Sequence, residues 1–354
     1  MGLNLMHQPA HNPYVRRAFF TLLAALLLCL AALTAALAEP ATFGPWQRLS
    51  DPFPGAANLR LTDMAVAPDG SLYVGAYPGG VARSTDGGAS WSLINTGLPD
   101  LHVSALGVNK LSEPVAAVGV NPCVGAFRYR NGRWFAASGI SASLRISAFT
   151  LDQTGALIAV TGWAGDVFRS NDDGSSFYKA ASSIGQGGGA LWAVALGPDG
   201  SLYAGGEMPG GLYLSRDNGN NWRQFALSNE QGYKGNLFAI CFNKQGELLV
   251  GRTQAVTGSD IQRYSGGQWQ PSSKGIPDWR NVLSFALASD GTLYCTASLH
   301  GSAGVYRSTD GGHTWQDYAF GIPSPAYRRI AVNKDTVYLI SQDSIYKAGV
   351  SAAP

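Results

Sequence analysis

An aromatic residue returns every 43 to 47 residues along this chain, at Trp46, Trp91, Trp134, Phe177, Trp222, Trp269 and Trp315. Around four of these positions the sequence nearly repeats itself. The segments are Arg83-Ser84-Thr85-Asp86-Gly87-Gly88-Ala89-Ser90-Trp91, Arg169 to Phe177, Leu214 to Trp222, and Arg307-Ser308-Thr309-Asp310-Gly311-Gly312-His313-Thr314-Trp315. Each reads Ser-x-Asp-x-Gly, then a small polar residue before the aromatic. Shorter turns, Tyr129 to Trp134 and Tyr264 to Trp269, fill two gaps in the series. A period near 45 residues over most of a chain means stacked, nearly identical supersecondary units, because one such unit cannot bury its apolar face alone.

The unit is a set of four strands. In the first one, Thr62–Ala67 is followed by the turn Pro68-Asp69-Gly70, a second strand Ser71–Ala76, a third Val81–Ser84, and an outer strand Ser90–Ile94. Pro198-Asp199-Gly200 and Ser289-Asp290-Gly291 repeat the first turn. Turn dipeptides between alternating apolar runs predict hairpins. Four strands per 45 residues predict an all-β, seven-bladed β-propeller of four-stranded antiparallel blades, in one domain over residues 39–354. The seventh unit, Arg328–Lys347, supplies only three strands, and Thr42–Leu49, carrying Trp46, is a strand without a unit. Adding that N-terminal strand to the last blade closes the ring and removes an exposed sheet edge.

Composition agrees. Of 354 residues 45% are hydrophobic, 14% are charged and 45 are glycine, which suits a β fold with many tight turns rather than a disordered chain. Residues 1–38 read as a targeting segment: Arg16-Arg17, an uncharged run from Ala18 to Ala38, and an Ala36-Leu37-Ala38 end. The expectation is an exported protein, periplasmic or secreted, with the run as either a cleaved signal peptide or a membrane anchor. Membrane contact is expected through that segment alone. Beyond it 23 basic residues balance 23 acidic ones. That balance argues against nucleic acid as a partner. Cys123, Cys241 and Cys295 lack metal-ligand spacing, and an odd count excludes a complete disulfide framework. No cofactor and no metal are expected, and the chain is expected to be a monomer.

The Ser-x-Asp-x-Gly-x-x-Trp segments resemble the Asp-box (BNR) repeat of sialidases, sortilin-type receptors, certain xyloglucanases and the photosystem II stability/assembly factors. A carboxylate in a turn accepts backbone N–H groups and pins the hairpin. Asp86, Asp172, Asp217 and Asp310 are therefore expected to be structural, with Trp91, Trp222 and Trp315 packing in the seams between blades. Repetition around a ring argues against catalysis, which needs a residue once. Asp86-Gly87-Gly88-Ala89-Ser90-Trp91 and Asp310-Gly311-Gly312-His313-Thr314-Trp315 are most similar to the boxes of the assembly-factor family. That resemblance covers most of residues 42–348. It implies a single exported propeller with a binding role.

In other propellers the binding mouth lies opposite these turns. It is formed by the segments leading into each inner strand and by the loops joining second and third strands. Here the leading segments hold Arg60, His102, Arg145, Trp192, Lys234, Trp279, Arg280, Tyr327, Arg328 and Arg329. The loops add Tyr77, Trp163, Asp166, Glu207, Met208, His300 and Asp343. The candidate binding residues are Arg60, His102, Arg145, Trp163, Trp192, Arg280, Arg328 and Arg329. Arginines interleaved with aromatics suit an anionic protein segment or an acidic glycan. The bland alternative is that these arginines pair with Asp63, Asp100 and Asp278 nearby. The function expected is a non-catalytic binding or assembly scaffold for a protein or acidic ligand. The alternative is a glycan-active hydrolase or lyase of the sialidase or xyloglucanase type, which needs two placed carboxylates. The sialidase Phe/Tyr-Arg-Ile-Pro motif is absent, since Tyr327-Arg328-Arg329-Ile330 is followed by Ala331.

Overall fold

A computed structural model describes residues 45–119, 123–184, 189–207, 211–225, 236–252, 261–277, 281–299, 302–320, 322 and 327–350. The expected targeting segment 1–38 lies outside them. So do Lys234, Trp279, Arg280, Met208, His300 and Asp278, and the side chains of Tyr327 and Arg328.

Seven four-stranded antiparallel sheets form the described chain. The first blade is Arg60–Val66, Leu72–Tyr77, Gly80–Ser84 and Ser92–Leu93, from inside outward. The inner strands of the seven blades touch in succession, and that of the last blade, Tyr327–Asn333, returns to that of the first. The last blade is completed from the other end of the sequence. Gln47–Arg48 pairs with Ile345–Gly349, with Gln47 opposite Lys347 and Arg48 opposite Tyr346. Trp46 beside this strand is 1% exposed and donates its indole N–H to the Tyr318 carbonyl at 2.6 Å.

Burial follows strand position. The second strands are the most buried, and Leu157–Thr161 and Leu202–Gly206 are buried at every residue, because neighbouring blades cover both faces of the sheet. This is why they read as continuous apolar runs. The outer strands Ser92–Leu93, Arg223–Gln224 and Gln316–Asp317 are exposed and only two residues long, shorter than the sequence pattern suggests. Seven apolar clusters occupy the seven seams, each drawing on two successive blades. Trp134, Phe177 and Trp315 are buried in three of them, while Trp91 and Trp222 pack at the margin of two others.

The linkers leaving three of the blades cover the edge of the blade that follows. Trp134 N–H donates to the Thr96 carbonyl, Phe177 N–H to Ser138 and Trp315 N–H to Lys274. The residue after each acceptor is Gly97, Gly139 or Gly275, with φ of +93°, +83° and +98°. A Cβ at Gly139 would lie 1.7 Å from the Phe177 carbonyl oxygen, and at Gly275 1.9 Å from that of Trp315. Only glycine permits both the backbone conformation and the approach.

Candidate functional site

On the face carrying the turns between third and fourth strands, the aspartates are engaged within their own turns. In each Ser-x-Asp-x-Gly turn one carboxylate oxygen accepts the serine hydroxyl at 2.8 Å and one backbone N–H, and the other accepts the side chain before the aromatic. For Asp310 the donors are Ser308 Oγ, Thr314 N at 2.9 Å and Thr314 Oγ1 at 2.6 Å. Asp86, Asp172 and Asp217 repeat the set. The sequence suggests several backbone donors per aspartate. The structure divides that work, with each serine oxygen accepting the glycine N–H at 2.8–2.9 Å. Donation from the Ser90 side chain and backbone and from Ser84 holds the Asp86 carboxyl below the usual carboxylate range. Burial pushes Asp172, Asp217 and Asp310 upward, but their donated hydrogen bonds outweigh it and the net shift is down.

The two blades with shorter turns carry a different device. Asn109 Oδ1 accepts the N–H groups of Leu111 and Glu113, while its amide donates to Glu113 and to the Asp173 carbonyl of the next blade. Glu113 also holds Arg128 at 2.5 Å, and Arg128 donates to the Asp172 carbonyl and to Ser175 Oγ. Asn243, Glu247 and Arg263 repeat the arrangement toward Gly311. These residues were not singled out from the sequence, although Asn-x-x-x-Glu at both inner-strand ends was a visible signal.

At the opposite face every inner strand begins with a β-bulge. A bulge leaves one extra residue unpaired and re-aims its side chain. The seven extra residues are Thr62, Ser104, Ser147, Trp192, Phe238, Leu283 and Arg328. Three consecutive positions are hydroxylated and short; the next three are large and apolar. Trp192, Phe238 and Leu283 wall a recess of about 80 Å³ whose lining comes from five successive inner strands, which places it on the propeller axis. Phe238 and Leu283 escaped the sequence reading. The signal was a break in alternation, with two large apolar neighbours at Leu191-Trp192, Leu237-Phe238 and Val282-Leu283.

The structure brings three of the expected residues together here. Trp192 stacks on Phe238 with ring centroids 5.6 Å apart and planes at 15°. Trp163 meets Trp192 edge to face at 5.9 Å. The Arg145 guanidinium lies over the Trp192 ring at 5.9 Å. Trp163 is 65% exposed, yet its loop is pinned. Asp166 takes Lys179 at 2.6 Å and the Ser183 N–H at 3.0 Å, and the Gly165 carbonyl accepts the Ile184 N–H. Arg145 Nε and Trp192 Nε1 are enclosed without a hydrogen-bond partner.

Of the other candidates, Arg329 lines the recess, while His102 and Arg60 stand at the first two blades. His102 packs against Tyr77 with ring centroids 4.0 Å apart and planes tilted by 31°, and meets Asp100 at 2.8 Å. Arg60 is exposed at the start of the first inner strand, opposite Tyr77. Arg329 is engaged: its Nε meets Asp63 at 2.6 Å, and Asp63 also accepts the N–H groups of Met64 and Leu106. Arg329 therefore brings no net charge to the mouth. Arg328 supplies a bulge in the backbone, and Arg280 lies outside the described residues. Among the described residues no group of three or more His, Cys, Asp and Glu side chains is placed to hold a metal.

A roomier groove, about 340 Å³, lies on the outer flank between the second and third blades, lined by Arg128, Arg130, Phe135 and Ser175. Size alone would favour it. Its inner wall is Arg128, whose donors are spent on Glu113, Asp172 and Ser175, so the smaller axial recess is the better candidate.

No protein-family profile matches the chain, and no curated protein matches it. Its fold has many solved counterparts. Virginiamycin B lyase from Staphylococcus aureus superposes with a TM-score of 0.71 at 14% identity, over 86% of this chain and 98% of the lyase. A structure of YCF48 bound to D1 peptide gives 0.63 at 16% identity, over 89% of this chain and 99% of that one. The GH74 xyloglucanase from Xanthomonas campestris gives 0.63 at 17% identity, over 87% of this chain and 54% of the enzyme. At these identities the likeness is one of fold.

Proposed function

We propose that this chain is an exported, non-catalytic propeller that serves as a binding or assembly scaffold, holding a segment of a partner protein in its mouth. The observation that carries this reading is the aromatic platform running from Trp163 at the rim through Trp192 to Phe238 on the axis. A large exposed indole on a pinned loop has already lost the conformational freedom that binding would otherwise remove. Rigid tryptophans of this kind dominate protein recognition. The peptide-bound YCF48 structure supports the reading, since a propeller of the same fold takes a peptide. Export rests on Arg16-Arg17 and the apolar run behind them, and the turns are read as Asp-boxes that hold the blades.

A hydrolase would need two available carboxylates about 5–10 Å apart. Of the four carboxylates the sequence places at the mouth, Asp63 is spent on Arg329 and Asp166 on Lys179, and Asp343 accepts the Ser341 and Ser344 hydroxyls, which leaves Glu207 without an uncommitted second among them. That commitment favours binding over catalysis. The test is selection from a random displayed-peptide library on the full chain, run beside a glycan array. Peptides retained by the wild type and released by Trp163→Ala with Trp192→Ala are expected. Retention of glycans with no peptide selected would overturn the reading.

A further inference from the structure

The groove on the outer flank takes its character from one hairpin of the second blade. Its strands are Cys123–Arg130 and Arg133–Ala136, joined by the two-residue turn Asn131-Gly132 with both residues at positive φ. That turn sets Arg130 opposite Arg133 and Arg128 opposite Phe135. Opposed residues, and alternate residues along a strand, share one face of the pair. Arg128, Arg130, Arg133 and Phe135 therefore stand on one face. It is the face turned to the third blade, since Arg128 donates there to the Asp172 carbonyl and to Ser175 Oγ. Arg128 is spent on that lock, but the other three residues are not part of it.

The fifth blade shows what the frame alone requires. Its hairpin, Ile261–Ser265 and Gln268–Pro271, has the same short turn, Gly266-Gly267, and the same buried arginine, Arg263 on Glu247. There Ser265 stands opposite Gln268, and Arg263 opposite Gln270, whose side chain it holds. Neutral polar residues thus suffice at the three outer positions. The second blade places Arg130, Arg133 and Phe135 there, all exposed. Like charges directly opposite one another on a strand pair are destabilising. Among the described residues neither arginine has an ion-pair partner. The carboxylates of the adjoining turns are committed, Glu113 to Arg128, Asp173 to Lys110, and Asp172 to Ser170 and Ser176. The Arg133 guanidinium lies over the Phe135 ring at 5.2 Å, and the lining that meets solvent is more apolar than polar. Two unanswered cations beside an exposed ring fit a partner that carries carboxylates next to apolar side chains.

Spacing narrows the class of partner. Arg133 and Phe135 are two residues apart on one strand, a distance of about 7 Å. An extended peptide repeats side chains on one face at the same interval. We infer that this groove takes an extended acidic segment of a partner protein, with an Asp or Glu side chain on Arg130 and Arg133 and an apolar side chain, two residues away, on Phe135. The surface lies on the flank, apart from the mouth, and does not rest on the function given to the mouth.

The test is selection from the displayed-peptide library on the full chain carrying Trp163→Ala, so that the mouth is weakened. Peptides are expected that bind this variant and the wild type equally and carry Asp or Glu two positions from an aromatic or aliphatic residue. Arg130→Glu with Arg133→Glu should weaken them about tenfold or more. Phe135→Ala should weaken them about 3- to 10-fold. Their affinity should also fall as salt rises from about 0.1 to about 1 M. Arg216→Glu with Arg223→Glu makes the same change of charge at two exposed arginines of the fourth blade and should leave binding unchanged. Thermal melting verifies folding, and Arg130→Ser with Arg133→Gln, which copies the fifth blade, keeps the test decisive if the reversal fails to fold. Peptides without an acidic residue, or indifferent to the arginine and Phe135 changes, would overturn this inference, as would a selection in which no peptide is independent of Trp163. Each of those results leaves the mouth reading intact. Flank peptides alone, with none that depends on Trp163 and Trp192, would overturn the mouth reading and support this one.

Discussion

On the face of the turns, the four aspartates of the Ser-x-Asp-x-Gly segments find their partners within the chain, and the same kinds of partner recur from blade to blade. Asp86, Asp172, Asp217 and Asp310 each accept the same three kinds of donor, and Arg128 and Asn243 tie two blades to their successors. On the mouth face no such repetition holds. Seven equivalent bulges present a threonine, two serines, a tryptophan, a phenylalanine, a leucine and an arginine. Repetition of one hydrogen-bond set is the signature of a part that holds the ring together. Variation of residue type at equivalent positions is the signature of a part that meets something else.

Substitutions should divide along the same line. The largest loss of stability is expected for Trp315→Ala, which removes a side chain 3% exposed in a seam and its N–H bond to the Ser272 carbonyl. The cost should be about 3–5 kcal/mol in denaturant unfolding. Peptide affinity per folded molecule should not change. Next comes Arg128→Met, at about 2–3 kcal/mol, below the range for fully buried pairs because Glu113 keeps some contact with water. A stable Arg128→Met variant with lost binding would move the functional surface to the outer flank.

Asp310→Asn should cost less, about 1 kcal/mol, since its donors are exposed or half-buried. Its pH dependence is the sharper readout. The folded carboxyl is held below its ordinary value, so its contribution is fully present above the unfolded value near 3.9. It is lost as pH falls toward the folded value. Unfolding midpoints of wild type and variant should differ by a constant amount from pH 7 to about pH 5 and converge below pH 4. A difference that grows on acidification would contradict the role given to these aspartates.

The sequence made the ring legible because its cause is periodic. Aromatic spacing, turn dipeptides and the unpartnered strand around Trp46 each reflect a geometry imposed seven times. The mouth was legible in part. Arg145, Trp163 and Trp192 were recognisable as residue types at the right strand ends. Their convergence, and the separation of Arg60 and His102 from them, depends on which way a bulge turns one side chain. Arg329 shows the limit most clearly. It belongs to an arginine-rich string in the sequence, yet its partner Asp63 stands 266 residues earlier and reaches it only because the ring closes. Phe238 and Leu283 were hidden because an apolar residue in a strand reads as core until the bulge is seen.

The central claim, that binding belongs to the mouth and the turns only hold it, is tested most directly by titrating one library-selected peptide against Trp163→Ala and Asp310→Asn side by side. Trp163 is largely exposed and its removal should change stability by less than about 0.5 kcal/mol. The account predicts that Trp163→Ala loses about tenfold or more in affinity, while Asp310→Asn, the less stable of the two, binds as the wild type does. Unchanged affinity for Trp163→Ala together with weakened binding by folded Asp310→Asn would contradict it.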